Sequence, residues 1–114
     1  MSTALKGDLF PEGTQAAMAS MSMLNKLACE VAKNFTVHAC TDITGFSLMG
    51  HGSEMASGSD VSLEIDTTAL PLFPHVVEAA EMGLVPAATY GNRKAITAVS
   101  GLVELESVWS DICF

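Results

Sequence analysis

Basic residues are scarce in this chain: five Lys and Arg stand against 13 Asp and Glu in 114 residues, a formal net charge of −8 with His neutral. That balance argues against a nucleic-acid backbone or an anionic membrane surface as a partner. Long apolar runs are missing too. The longest are a few residues, far short of the ~20 that cross a bilayer. No basic segment leads into an apolar one at the N-terminus, so the expectation is a cytoplasmic protein with no membrane association. Paired cysteines are absent: Cys29, Cys40 and Cys113 form no CxxC unit and no Cys/His cluster of zinc-site spacing. They are expected to be reduced and mostly buried as small core residues. What remains is 49% hydrophobic and only 16% charged, the composition of a folded globular domain. The length suits one such domain, and neither an internal repeat nor a low-complexity linker appears.

The pattern of apolar residues predicts alternating helices and strands. The first dozen residues read as an extended entry segment, with a Lys-Gly-Asp turn and Pro11. From Glu12 to Asn34, Ala17, Met21, Leu24, Ala28 and Val31 recur at helical spacing, the stripe of one amphipathic helix of about five turns. Met18, Met21 and Met23 are then core or interface packing rather than a metal box. Phe35 to Cys40 alternates as a strand would, Phe46 to Ser57 reads as a helix, and Val61, Leu63 and Ile65 alternate in a second strand. Pro74 suits a helix start and Gly83 its left-handed C-terminal cap. The stretch after Gly83 reads as loop leading into a short helix, and Leu102 to Trp109 as a further strand. The fold class expected is α+β, a mixed β-sheet flanked by helices.

Against this background, "HACTDITGFSLMGH", His38 to His51, places one acid between two threonines before a Gly-Phe turn. Magnesium takes hard oxygen ligands, one or two carboxylates plus the substrate's phosphates and waters. Asp42 can supply such a carboxylate, Thr41 and Thr44 offer hydroxyls, and Gly45 lets backbone approach a ligand closely. From local sequence alone, Asp42 reads more readily as a turn or helix-capping residue than as a ligand.

"TDITGFSLMGH" resembles the T-D-[VI]-T-G-F-G-L-x-G-H signature of selenophosphate synthetases (selenide, water dikinases), which share a superfamily with aminoimidazole ribonucleotide synthetase. The similarity continues through "TALK" at Thr3 to Lys6, "M..LNK" at Met21 to Lys26, "GHGSEMA" at Gly50 to Ala56, "LPLFP" at Leu70 to Pro74 and "G.VP....N" from Gly83 to Asn92. Ser47 stands where the signature has Gly, and Gly52 where a larger apolar residue is common.

The resemblance implies the C-terminal domain of such an enzyme, a mixed sheet flanked by helices. Its reaction converts ATP, selenide and water to selenophosphate, AMP and phosphate with Mg2+. Asp42 is then the metal ligand, and Thr41, Thr44 and Gly45 are phosphate neighbours. The other half, with its Gly-rich segment, Cys or selenocysteine and Lys, is not matched by this chain. No catalytic residue is therefore assigned, and the isolated chain is expected to be inactive. A homodimer or higher oligomer is expected from apolar surface left uncovered. His51 is either half of an i, i+3 ligand pair with Glu54 or a structural histidine, and Asn92 either orders a loop near the site or forms a turn. Two other readings stay open: a related ATP-using branch, such as aminoimidazole ribonucleotide synthetase or thiamine-monophosphate kinase, and a non-catalytic dimerisation module.

Overall fold

Helix α1, Pro11–Ser22, begins on a proline whose fixed φ suits the first helical position, and Glu12 places a carboxylate at the positive end of the helix dipole. The computed structural model describes residues 9–97 and 105–114. Among the described residues five further α-helices follow: α2 Lys26–Ala32, α3 Leu48–Ser59, α4 Val76–Glu81, α5 Ala88–Thr97 and α6 Ser107–Cys113. A single 3-10 turn, Thr67–Ala69, separates α3 from α4, seeded by Asp66 accepting from both the backbone and the hydroxyl of Thr68. Those bonds hold the Asp66 carboxyl below its ordinary pKa. No helix among the described residues is long and apolar enough to cross a membrane.

The expected mixed β-sheet is overturned, because among the described residues every regular element is helical and no strand occurs. Phe35–Cys40 and Val61–Ile65 run without regular structure. Alternation gives a segment two unlike faces, but a strand exists only when its N–H and C=O groups pair with a neighbour. Here both segments lie on the surface, with Phe35 69% and Val61 57% exposed. The third expected strand falls partly outside the described residues, and its Ser107 to Trp109 portion belongs to α6. The packing of α6 against α4 supplies a tertiary contact that overrides the alternating pattern.

The long helix expected from Glu12 to Asn34 divides at Met23, whose backbone is extended at φ −74, ψ 131. The Ser22 hydroxyl donates to the Ala19 carbonyl, a back-bond that competes with helix continuation, and Asn25 takes the next N-cap position. Of the predicted stripe only Ala17 is buried. Met18, Met21, Met23, Leu24 and Val31 are exposed, so the methionines are not core. Cys29 and Cys40 are exposed as well, against expectation, and only Cys113 is buried, which pushes its thiol pKa up.

The helix between Pro74 and Gly83 is found, starting at Val76 and closing as predicted. Gly83 has φ 74, its N–H donates to Ala80 O, and Leu84 N–H donates to Ala79 O. These paired bonds form a Schellman motif, which only a residue at ease in the left-handed region completes without strain. Helix α1 meets the segment before α4 through the stack of Phe10 on His75, centroids 5.2 Å apart. Gly13 allows that approach: a Cβ there would lie 2.4 Å from the Pro74 carbonyl oxygen.

The core is small. Among the described residues, Ala17, Ala80, Ile96, Cys113 and Phe114 are the buried apolar residues, joined by Thr89. Beside it, between α1, α4 and α6, lies a largely apolar groove of about 810 Å3. The chain exposes 8474 Å2, against roughly 6000 Å2 for a compact monomer of this size.

Candidate functional site

The segment that carries Asp42 ends in a turn fixed from three directions. Locally, Ser47 N–H donates to Thr44 O at 3.1 Å, and the Ser47 hydroxyl oxygen accepts from Gly50 N–H at 3.0 Å as the N-cap of α3. From α3, His51 Nε2 lies 2.9 Å from Thr44 Oγ1. From α5, Asn92 Nδ2 donates to Gly45 O at 3.1 Å and to Phe114 O at 2.9 Å, tying the turn to the end of α6. Asn92 therefore orders the loop, one of the two roles its sequence position allowed.

Ser47 completes this turn at φ 76, ψ 165. That backbone region belongs almost wholly to glycine and costs a side chain about 1–3 kcal/mol. It explains in physical terms why the signature that this stretch resembles has Gly at the position. The cap bond and the packing of α3 on α5 hold Ser47 there nonetheless.

The His51 side chain is largely enclosed, 12% exposed, with Nδ1 facing Glu54 Oε2 at 3.5 Å. The two residues spaced i, i+3 thus face each other, which both the ligand-pair and the structural reading of His51 allow. The Phe46 ring meets the imidazole edge-on, centroids 6.0 Å apart and planes at 78°. A shallow cleft of about 390 Å3 lies alongside, lined by His38, Cys40, Thr41, His51, Glu54 and Met55 among others. Sequence reading found His51 and Glu54 by their spacing but did not foresee the Thr44 contact. It also missed Arg93, which donates from Nη2 to Asp111 Oδ1 at 2.6 Å and stacks over Phe114 at 5.8 Å. No local signal links residues so far apart in the chain.

Thr41, Asp42, Thr44 and Gly45 are all exposed and follow one another along an irregular segment rather than a strand end. The Thr41 hydroxyl donates to the Asp42 backbone carbonyl at 3.2 Å, and Asp42 is exposed. Among the described residues, no three His, Cys, Asp or Glu side chains come together in a group able to hold a metal ion. The donors present are one carboxylate and neighbouring hydroxyl and carbonyl oxygens. Such a set fits magnesium as a partial shell, completed by phosphate oxygens and waters, and it does not fit a metal held by protein alone.

Comparison with known proteins bears on this arrangement. Residues 3–103 match the family described as AIR synthase related protein, C-terminal domain. A selenide, water dikinase of Caldanaerobacter subterraneus subsp. tengcongensis is 46% identical over 95 residues, covering 82% of this chain and 28% of that protein. One from Treponema denticola is 42% identical over 95 residues, covering 82% and 27%. Another, from Trichlorobacter lovleyi, is 46% identical over 94 residues, covering 82% and 27%. The chain thus spans little more than a quarter of the length of these relatives.

Proposed function

The chain belongs to the AIR synthase related proteins, through the C-terminal domain of that family, and on this premise we propose that it serves as the C-terminal domain of a selenide, water dikinase. The parent enzyme takes ATP, selenide and water to selenophosphate, AMP and phosphate. Within it, Asp42 gives a carboxylate oxygen to Mg2+, and the Thr41, Thr44 and Gly45 stretch lies against the nucleotide phosphates. When bound, the cation offsets phosphate charge as it develops during phosphoryl transfer. The protein's own part is to present Asp42 on a segment whose far end is locked by Ser47, His51 and Asn92.

The observation that carries this reading is the 42–46% identity to selenide, water dikinases over a stretch that includes the whole Thr41 to His51 signature. The exposure of Asp42, next in the chain to the hydroxyl-bearing Thr41 and near Thr44, supports its assignment to the cation. The excess of exposed surface and the bare apolar side chains of α1, α2 and the segments around them support assembly as a homodimer or higher oligomer.

The test uses the complete polypeptide that carries this chain. Selenide-dependent AMP release from ATP, with selenophosphate seen by 31P NMR, is the expected activity. Asp42→Asn is expected to lower it at least about 100-fold, the upper end of what losing an outer-shell partner of a metal produces. Robust ATP cleavage that ignores selenide, or an Asp42→Asn variant with unchanged Mg2+ dependence, would overturn the assignment. The 114-residue chain alone is expected to give no selenide-dependent turnover.

A further inference from the structure

A threonine hydroxyl has one proton, and where that proton points decides what the oxygen can serve. We propose that His51 is a positioning residue that fixes the polarity of Thr44. The imidazole accepts the Thr44 hydroxyl hydrogen bond at Nε2, so the hydroxyl oxygen presents only lone pairs; lying beside the phosphates, Thr44 then acts through the waters of the hydrated divalent cation and does not itself donate to a phosphate oxygen. This deepens the reading of Asp42 as a cation ligand and rests on it.

The placement of Glu54 favours one direction for the bond in the neutral ring. His51 Nδ1 faces the Glu54 carboxylate at 3.5 Å, which favours the tautomer with its proton on Nδ1. Nε2 is then a lone-pair acceptor, and it lies 2.9 Å from Thr44 Oγ1. The ring has little freedom to turn away, since its side chain is 12% exposed and Phe46 packs edge-on against it. A phosphate oxygen accepts and cannot use a hydroxyl whose proton is already committed. Magnesium keeps several of its waters, and each water has protons that need acceptors. Thr44 stands two residues from Asp42 on the same exposed segment. Orientation of a cation's shell by outer partners of this kind typically changes affinity about 10–100-fold.

The experiment again uses the complete polypeptide, with Mn2+ as the probe cation. In 15N-histidine NMR of the unsubstituted protein, His51 is expected as the Nδ1–H tautomer, its signal identified by its loss in His51→Gln. An Nε2–H tautomer, or an imidazolium protonated on both nitrogens, would overturn the proposal. By electron paramagnetic resonance in the presence of ATP, Thr44→Val is expected to weaken Mn2+ binding about 10-fold. Thr44→Ser, which keeps the hydroxyl, should restore it to within about twofold. Binding of ATP without a divalent cation should be unchanged by Thr44→Val, a result that general damage to the turn would not give. If metal-free ATP binding falls instead, Thr44 donates to phosphate and the proposal is wrong. Asp42→Asn separates the two layers: should it abolish Mn2+ binding while Thr44→Val leaves it intact, only the role of Thr44 fails. Should Asp42→Asn have no effect, the cation site itself fails, and this inference with it.

Discussion

The turn from Thr44 to Ser47 and the segment from Phe35 to Cys40 are near neighbours in sequence, yet they are held in opposite ways. The turn is pinned by directional bonds from its own N-cap, from His51 on α3 and from Asn92 on α5. The segment before it has alternating apolar side chains with nothing upon them, Phe35 69% and Val37 51% exposed. Polar groups with short-range partners determine a conformation within a single chain. Apolar alternation only states a demand, which some other surface must meet. Asp42 sits at the junction, between a fixed end and a bare one.

The sharpest way to break this contrast is to remove the demand. Leu24 and Leu27, 78% and 71% exposed on and beside α2, contribute little to the single chain. If assembly covers them, each Leu buried in the interface is worth about 1.5–3 kcal/mol. Leu24→Glu with Leu27→Glu is then expected to raise the dissociation constant of self-association by about 100-fold or more, read by sedimentation. The same pair should leave the unfolding free energy of the separated subunit within about 0.5 kcal/mol. A loss of subunit stability with no change in assembly would show that the bare region is held internally after all.

On the pinned side the corresponding experiment is Asn92→Ala. Two hydrogen bonds are lost, one of them to the carbonyl of the buried Phe114. At about 1 kcal/mol for each bond, the cost expected is about 2 kcal/mol in denaturant unfolding. Backbone exchange at Gly45 and Phe46 should rise with it. An unchanged exchange rate there would mean that the turn is set by Ser47 and His51 alone.

The same contrast separates what was legible in the sequence from what was not. Gly83 announced the end of α4 because the left-handed cap is a property of one residue and two bonds. The helix after Phe46 and the pairing of His51 with Glu54 were legible for the same reason, being matters of spacing along one element. The sheet was misread because Val61, Leu63 and Phe35 show the period of a strand without specifying a partner. The break at Met23 was missed because the apolar stripe runs on across it, while the competing Ser22 to Ala19 bond is a side-chain event that leaves no mark on periodicity. The roles proposed for Asp42, Thr41, Thr44 and Gly45 come from a signature rather than from physics. What the structure adds is how His51 and Asn92 hold their neighbours.

A smaller effect, of opposite sign, tests whether the pinning carries strain. Ser47→Gly relieves a backbone conformation costing about 1–3 kcal/mol and gives up an N-cap worth only a few tenths relative to Gly. The net expectation is a gain of about 1 kcal/mol in thermal or denaturant unfolding, with Mn2+ binding retained. A loss would mean that the Ser47 bond to Gly50 N–H is worth more than the strain it accompanies.

The smallest expected change lies on the next turns of α3, where two buried glycines differ in what a methyl group would meet. At Gly52 a Cβ would lie 3.6 Å from Leu63 Cδ1, an ordinary contact that adds packing to a residue left 46% exposed. Gly52→Ala also removes the entropic cost of glycine inside a helix, so a gain of about 0.5–1 kcal/mol is expected. At Gly50 the Cβ would come within 3.2 Å of Ser47 Oγ, the oxygen that caps the helix. Gly50→Ala should forfeit that gain by displacing the cap, and the pair measured together by denaturant unfolding tells how far the fixed turn reaches into α3. If both substitutions stabilise equally, the cap yields freely and the turn is held chiefly from α5. If only Gly52→Ala does, the N-cap belongs to the same rigid unit as the Thr44 contact one turn further on.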